Sequence, residues 1–282
     1  MNDKTIGIVG LGYVGEAIHA FFSSTNKILT FDINKDCSEI SLMSLVQKSD
    51  IIFLCLPTPM DYDGSCSIDT INHVLNEINS NSKENEFAFK TFIIKSTIPP
   101  GSTEDFIKKY KNLNIIFNPE FLTEKNFIND FKFQNRIVLG CKNNYNEIYN
   151  LYKNYFPEAE IFICSPSEAE MIKYFSNCML ALKVSFSNEF YTLCDALNID
   201  FNRIVDISSK DERIGKSHMQ VPGPDMKRGF GGTCFPKDLS AIIKVFEKNK
   251  IDSYILKAAW ERNQKIDRPE KDWEKLKGRA II

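Results

Sequence analysis

A doubly wound α/β domain with a parallel sheet, followed by an all-α domain, is the fold this chain predicts, and three observations carry that reading. An apolar strand run, Thr5-Ile6-Gly7-Ile8-Val9, enters a glycine turn, Gly10-Leu11-Gly12-Tyr13-Val14-Gly15, that opens the helical stretch 16–22. Further short apolar runs recur with helical or loop segments between them, the spacing of strands joined by crossovers. From 167 to 197 the pattern then turns helical without a proline, and the remainder holds helices and one glycine-rich loop. The domains are accordingly read as 1–165 and 166–282.

The glycine turn has the order strand, GxGxxG, helix, and the next strand run, 28–31, ends in Asp32, about twenty residues beyond the glycines. Each part has a mechanical task. Gly10 permits the tight turn, Gly12 leaves room for a pyrophosphate, Gly15 allows close helix packing, and Asp32 accepts hydrogen bonds from an adenosine ribose. This is a Rossmann-type fingerprint, and the acid selects NAD over NADP.

Strand runs follow at 50–56, 92–95, 114–117 and 136–139. Pro57-Thr58-Pro59, Ser96-Thr97-Ile98-Pro99-Pro100-Gly101 and Asn118-Pro119-Glu120 each follow one of them. They therefore fall at carboxyl ends, where open α/β sheets bind ligands, although prolines there also simply end strands. The polar stretch 79–86 reads as a solvated turn.

Ser167 is the N-cap expected for the long helix, with Glu168 and Glu170 in its first turn. At 1.5 Å per residue it runs about 45 Å, enough to form the spine of a second domain. Lys173 and Asn177 are i,i+4 neighbours whose donors suit an oxygen gaining negative charge, or an ordinary solvated pair. Met171, Tyr174, Phe175, Met179 and Leu182 are expected to pack as core. Helices are read at 239–250 and 255–265, and residues 276–282 lead towards the start of a strand.

The segment Gly229-Phe230-Gly231-Gly232-Thr233-Cys234-Phe235-Pro236-Lys237-Asp238 sets one cysteine between glycines and a helix start. Pro236 suits a first helical turn, so Cys234 lies at a helix N-terminus, where free amides and the dipole favour a thiolate. Asp238 lies one turn away. Taken alone, such a cysteine is more often a buried small residue beside a turn.

Composition narrows the class of function. With 282 residues, a net charge of −2 and interspersed acids and bases, the chain carries no electrostatic footprint for nucleic acid or a membrane surface. Its eight cysteines (37, 55, 66, 141, 164, 178, 194, 234) and three histidines (19, 73, 218) lack metal-ligand spacing, so no metal is expected. No segment reaches transmembrane length or reads as a leader, and the cysteines are expected to stay reduced in a cytoplasm.

Together the glycine fingerprint, STIPPGST (96–103), NPEFLTE (118–124), EMIKYFSN (170–177) and GFGGTCFPKD (229–238) resemble the UDP-glucose/GDP-mannose dehydrogenase family, nearest its UDP-glucose 6-dehydrogenase branch. The resemblance runs in order along nearly the whole chain. It implies that the helical domain is a central, dimerising one and that the C6 hydroxymethyl of a nucleotide sugar is oxidised to a carboxylate while two NAD molecules are reduced. It assigns Cys234 as nucleophile, Lys173 and Asn177 as the oxyanion-stabilising pair, and Asp238 and Thr97 as holders of a water for proton transfer. Glu124 matches an acid that activates water for thioester hydrolysis, and Glu120 a nearby acid of open role. Tyr13, Val14, Thr58 and Thr97 fall where the family touches NAD. Glu120, Phe121, Leu122, Lys173, Asn177, Phe230 and Gly231 fall where it touches substrate. Arg213 matches an arginine that reaches the substrate from a neighbouring subunit, which implies a homodimer.

Three departures stand beside the resemblance. The segment between Asp32 and Asp50 is short, residues 219–228 form an insertion expected to reshape the sugar pocket or add basic contacts to a diphosphate, and the chain ends where the family's third, nucleotide-holding domain is expected to begin. Two competing readings follow: a partner-dependent or inactive NAD-binding protein, and a two-electron dehydrogenase of the β-hydroxyacid type.

Overall fold

A computed structural model describes residues 4–33, 40–82, 87 and 89–282, so Cys37 and parts of the 32–50 and 79–86 readings lie outside the described residues. The chain forms two compact units, Met1–Thr58 with Ile68–Lys173, and Pro59–Ser67 with Tyr174–Ile282.

In chain order the first unit holds β1 (Thr5–Val9), α1 (Tyr13–Phe22), β2 (Lys27–Phe31), α2 (Leu42–Lys48), β3 (Ile51–Leu54) and α3 (Asp69–Asn81). It continues through β4 (Thr91–Ile94), α4 (Ser102–Lys109), β5 (Asn114–Phe117), α5 (Phe127–Lys132), β6 (Arg136–Gly140), α6 (Asn146–Tyr155) and β7 (Glu160–Cys164). The strands form one seven-stranded sheet in the order β2-β1-β3-β4-β5-β6-β7. Because successive strand side chains point to opposite faces, each inner strand feeds two cores. Ile6, Ile8, Ile51, Phe53, Ile93 and Ile116 pack on one face. Val9, Ile52, Leu54, Phe92, Ile94, Ile115 and Phe117 pack on the other. This double burial explains why the runs read as continuously apolar.

Two features depart from the sequence reading. The sheet is not wholly parallel, because β6 pairs antiparallel to β5 at Phe117 and Gly140. The connection between them places α5 against α1 rather than using it as a crossover that returns a parallel strand. β7 itself was not anticipated, although Ile161-Phe162-Ile163 is an apolar run: it pairs parallel with β6 at the sheet edge, where Phe162 and Ile163 remain exposed.

Helix α7 (Pro166–Ala196) runs 31 residues, and the second unit adds α8 (Phe201–Ser208), α9 (Phe235–Lys248) and α10 (Tyr254–Arg262). Its core joins Tyr174, Cys178 and Ala181 of α7 to Phe230 and to Leu239, Ile242 and Ile243 of α9. Of the α7 residues expected in the core, Tyr174 is fully buried, but Met171, Phe175 and Met179 are exposed, Phe175 by 65%. They belong to an apolar stripe that continues through Phe186, Phe190 and Leu193, for which helical periodicity alone names no partner. After α10, one π-helical turn at Asn263–Asp267 and a 3₁₀ turn at Asp272–Lys275 bury Trp273 and Arg268. At the chain end Met60 N–H donates to Ala280 O at 2.8 Å and Ile282 N–H to Met60 O at 3.0 Å, a short β-type pairing. Among the described residues, no helix is long and apolar enough to cross a membrane.

The long helix is capped two residues earlier than expected. Ser165, not Ser167, is the cap: its N–H donates to Glu168 Oε2 at 2.8 Å while Glu168 N–H donates back to Ser165 Oγ at 3.3 Å, a capping box with Pro166 at the first helical position. Glu170 then ties α7 to the start of α4, accepting from Gly101 N at 2.5 Å, Thr103 N at 2.8 Å and Thr103 Oγ1 at 2.6 Å. Burial outweighs these bonds and lifts the Glu170 carboxyl to about 7. An acid raised in the fold stabilises it at pH below its unfolded value, and that contribution is lost as pH rises through the folded value. Relative to Glu170→Gln, the wild-type chain is expected to lose stability between pH 4.5 and 7, as read by denaturant midpoints.

Candidate active site

In the first unit, the glycine turn follows β1, whose neighbours β2 and β3 lie on opposite sides, the switch point at which doubly wound sheets bind nucleotides. Gly10 has φ +93° and donates its N–H to Phe31 O at 2.8 Å, closing the turn against β2. A Cβ at Gly15 would collide with Gly10 O, whereas a Cβ at Gly12 would meet nothing within 4 Å. The turn is thus tight on its protein side and open at Gly12, which fits a bound pyrophosphate. Asp32 Oδ2 accepts Leu11 N–H at 2.7 Å, so the acid sits directly at the turn. Tyr13, opening α1, packs its ring at a tilt against Phe127 with centroids 5.3 Å apart, and Val14 packs on the core.

The loops after β3, β4 and β5 are joined by hydrogen bonds. Thr58 Oγ1 donates to Thr97 O at 2.8 Å, and both threonines are buried. After β5, Glu120 receives Lys173 Nζ at both its carbonyl, 2.6 Å, and Oε1, 3.0 Å, while Oε2 accepts Leu122 N–H at 2.6 Å. Burial would raise the Glu120 carboxyl, but the Lys173 charge, the Leu122 amide and Lys95 together hold it below its usual range. Phe121 lies under the Arg136 guanidinium at 4.0 Å, with Lys173 Nζ 5.4 Å from the ring centroid. Leu122 packs on the core, and Glu124 is exposed on the turn that follows.

In the second unit Cys234 is the N-cap of α9, half-buried, with Pro236 in the first turn. Its carbonyl accepts Asp238 N–H at 2.9 Å, and Thr233 Oγ1 lies 3.7 Å from its sulfur. Asp238 is buried and holds two donors: Asn177 Nδ2 at 2.6 Å on Oδ2 and Lys237 Nζ at 2.5 Å on Oδ1. Lys237 is a site residue that the sequence reading left without a role. Burial alone would lower it, but Asp238, with Cys66 and Cys234 nearby, lifts its ammonium above the ordinary lysine range. Lys237 thus keeps a positive charge near Cys234 at the start of α9.

The glycines that precede the cysteine are closely packed. A Cβ at Gly231 would strike Asp272 Oδ1 at 2.6 Å and the Arg268 guanidinium at 2.8 Å, and one at Gly229 would strike Asp267 Cβ at 2.9 Å. The close approach here is to protein. Phe230 N–H donates to Asn263 Oδ1 at 2.8 Å, Asn263 Nδ2 returns to Phe230 O at 2.9 Å, and the Phe230 ring is buried in the core. Phe230 is therefore held by both its backbone bonds and its ring. Gly229 N–H meets Asn188 Oδ1 at 3.2 Å, and Arg268 donates to Arg228 O at 3.1 Å.

The 219–228 segment joins the same framework. Asp225 pairs with Arg268, Lys227 with Asp272 at 2.9 Å and Glu270 at 3.2 Å, and Arg228 with Asp267 at 3.3 Å. Its basic groups are thus already engaged by acids of the 263–272 stretch. Arg213, 89% exposed, pairs with Asp211 at 2.5 Å after α8. Among the described residues no disulfide forms and no cluster of His, Cys, Asp and Glu could hold a metal. Gly229 has φ +64°, so Gly229→Ala combines strain with a clash and is expected to cost about 1–3 kcal/mol, measured by urea unfolding.

The geometry can be compared with known proteins. The sequence profile of the UDP-glucose/GDP-mannose dehydrogenase family matches twice, its NAD binding domain over residues 37–156 and its central domain over 167–265. The chain is 34% identical over 227 residues to the UDP-glucose 6-dehydrogenase of Rickettsia bellii, covering 78% of this chain and 50% of that protein. It is 33% identical over 297 residues to the UDP-glucose 6-dehydrogenase of Campylobacter jejuni, covering 92% of this chain and 72% of that one. The chain thus spans about half the length of the first relative. A solved UDP-glucose dehydrogenase from Pyrobaculum islandicum superposes with a TM-score of 0.81 at 27% identity, over 93% of this chain and 68% of that one. NAD is accordingly the cofactor, and the chain belongs to the UDP-glucose/GDP-mannose dehydrogenase family.

Proposed function

We propose that the chain carries out the NAD-dependent four-electron oxidation of the C6 hydroxymethyl of a nucleotide sugar, UDP-glucose to UDP-glucuronate, through a covalent intermediate on Cys234. The observation that carries this reading is Cys234 itself, capping α9 beside an ammonium held by a buried carboxylate. A dehydrogenase that stopped at the aldehyde would have no task for such a thiol. NAD, when bound, accepts a hydride in each of two successive oxidations.

In this reading Gly10, Gly12, Tyr13, Val14, Gly15, Asp32, Thr58 and Thr97 hold the cofactor, the glycine turn taking the pyrophosphate and Asp32 the ribose. Thr97 and Asp238 hold the water that receives the alcohol proton. The Cys234 thiolate adds to the C6 aldehyde, and Lys173 and Asn177 donate to the resulting oxyanion. Each has a donor for this: Lys173 has three N–H groups, of which Glu120 receives two, and Asn177 has two, of which Asp238 receives one. Those bonds fix both side chains before substrate arrives. Loss of a second hydride from the thiohemiacetal leaves a thioester, and water directed by Glu124 releases the carboxylate and restores the thiol. Glu120 sets the Lys173 ammonium, Phe121, Leu122, Phe230 and Gly231 shape the sugar site, and Arg213 reaches the substrate of a second copy.

The apolar stripe of α7, with exposed Ile204 and Ile207 of α8, supports a homodimer. A cytoplasmic setting, in which the cysteines stay reduced, is part of the same proposal.

The test is stoichiometric. With NAD and a panel of UDP- and GDP-sugars, two NADH per sugar consumed are expected, and one would favour the β-hydroxyacid type of reaction. Cys234→Ser is expected to slow uronate release by roughly a thousandfold or more, and release at the wild-type rate would exclude the covalent route.

A further inference from the structure

Lys95 is a buried amine to which the mechanism above gives no task. It follows β4 directly, its backbone N–H bonds Leu54 O at 3.0 Å, and the residue is 3% exposed. Its Nζ donates to Asn118 Oδ1 at 2.9 Å and to Pro119 O at 3.4 Å. Asn118, 2% exposed, is a hub: its N–H donates to Ile94 O at 2.9 Å, its Nδ2 to Val138 O at 2.8 Å, and its Oδ1 also accepts Tyr152 O–H at 2.5 Å. The next carbonyl along, Glu120 O, accepts Lys173. Two ammonium groups therefore grip consecutive carbonyls of one short loop, and the loop carries the carboxylate that orients Lys173.

We propose that Lys95 is a positioning residue for the reaction, setting Glu120, and through it Lys173, by holding Asn118 and the Pro119 carbonyl. The inference rests on the oxyanion role given to Lys173 above. A buried ammonium is costly to keep, and a methionine of similar length would fill the same space without charge. What the charge adds is direction: it fixes the peptide that precedes Glu120 and helps hold that carboxylate ionised. The titratable groups facing Lys95 are Cys55, Glu120 and Lys173, with Tyr152 sharing Asn118 Oδ1. Burial brings the amine down to about 8, with Cys55 and Glu120 opposing and Lys173 assisting. Above that pH a neutral amine donates more weakly, so the grip on the loop loosens.

The test compares wild type with Lys95→Met and Lys95→Arg. In Lys95→Met, kcat for NADH formation is expected to fall about a hundredfold while KM for NAD and for the sugar nucleotide changes less than about threefold. The wild-type kcat is expected to fall as pH rises through about 8. That alkaline limb should be absent in Lys95→Met and displaced upward in Lys95→Arg, whose charge persists. Acylation of Lys173 by an N-hydroxysuccinimide acetate, followed by peptide mass spectrometry, should be several times faster in Lys95→Met. A folded Lys95→Met with wild-type kcat overturns the proposal, as does a low kcat with the alkaline limb and Lys173 acylation both unchanged. Should Lys95→Met not fold, an unchanged limb in Lys95→Arg overturns it. If the wild-type protein reduces NAD with none of the sugar nucleotides, the functional reading fails on its own. Lys173 acylation then still decides the positioning claim.

Discussion

A charge removed from water must be matched within hydrogen-bond reach, and the polar centres of both units are arranged around that constraint. In the first unit the buried Lys173 ammonium is matched by Glu120, and Lys95 by Asn118 and Pro119. In the second, Asp238 is matched by Lys237 and Asn177, and Arg268 by Asp225 and Asp272. None of these groups can move alone without leaving an uncompensated ion behind. Lys173, Asn177 and Asp238 are therefore held in place by electrostatics before any substrate is bound, which is what transition-state stabilisation by fixed donors requires.

The cysteine loop shows the same economy by different means. Gly229 and Gly231 let the backbone press against Asp267, Arg268 and Asp272, and Asn263 clasps both polar groups of the Phe230 peptide. The loop's shape is thus copied from the 263–272 segment, which lies far along the chain from Cys234. Residues 219–228 are bound into that same framework through Asp225, Lys227 and Arg228, so the insertion braces the loop. A mutation in the bracing segment would reach the thiol through backbone position.

Much of this was legible in the sequence where a residue's task is local. Gly10 and Gly15 announce a turn that only glycine can make, and Pro236 with Cys234 marks a helix start, because both depend on neighbours in the chain. Long-range partners were less visible. Phe175 and Met179 carry the helical spacing of a core face, but spacing cannot say whether that face is covered. The apolar run of β7 was legible and was missed, whereas the antiparallel turn of β6 depends on where α5 packs. Lys95 and Lys237 were given no role, since a sequence does not show that a lysine is buried or which groups compensate it. Ser165 lost to Ser167 in the reading because the reciprocal bond with Glu168, not residue type, selects the cap.

The central claim is that Cys234 holds the sugar's C6 between two oxidations. Rapid acid quenching of the enzyme during turnover with UDP-glucose and NAD, followed by peptide mass spectrometry, tests it directly. The account predicts that the peptide containing Cys234 carries a hydroxylamine-labile acyl adduct with the mass of the nucleotide-linked uronyl group, absent without NAD. Steady turnover to uronate with the Cys234 peptide unmodified at every quench time would contradict it.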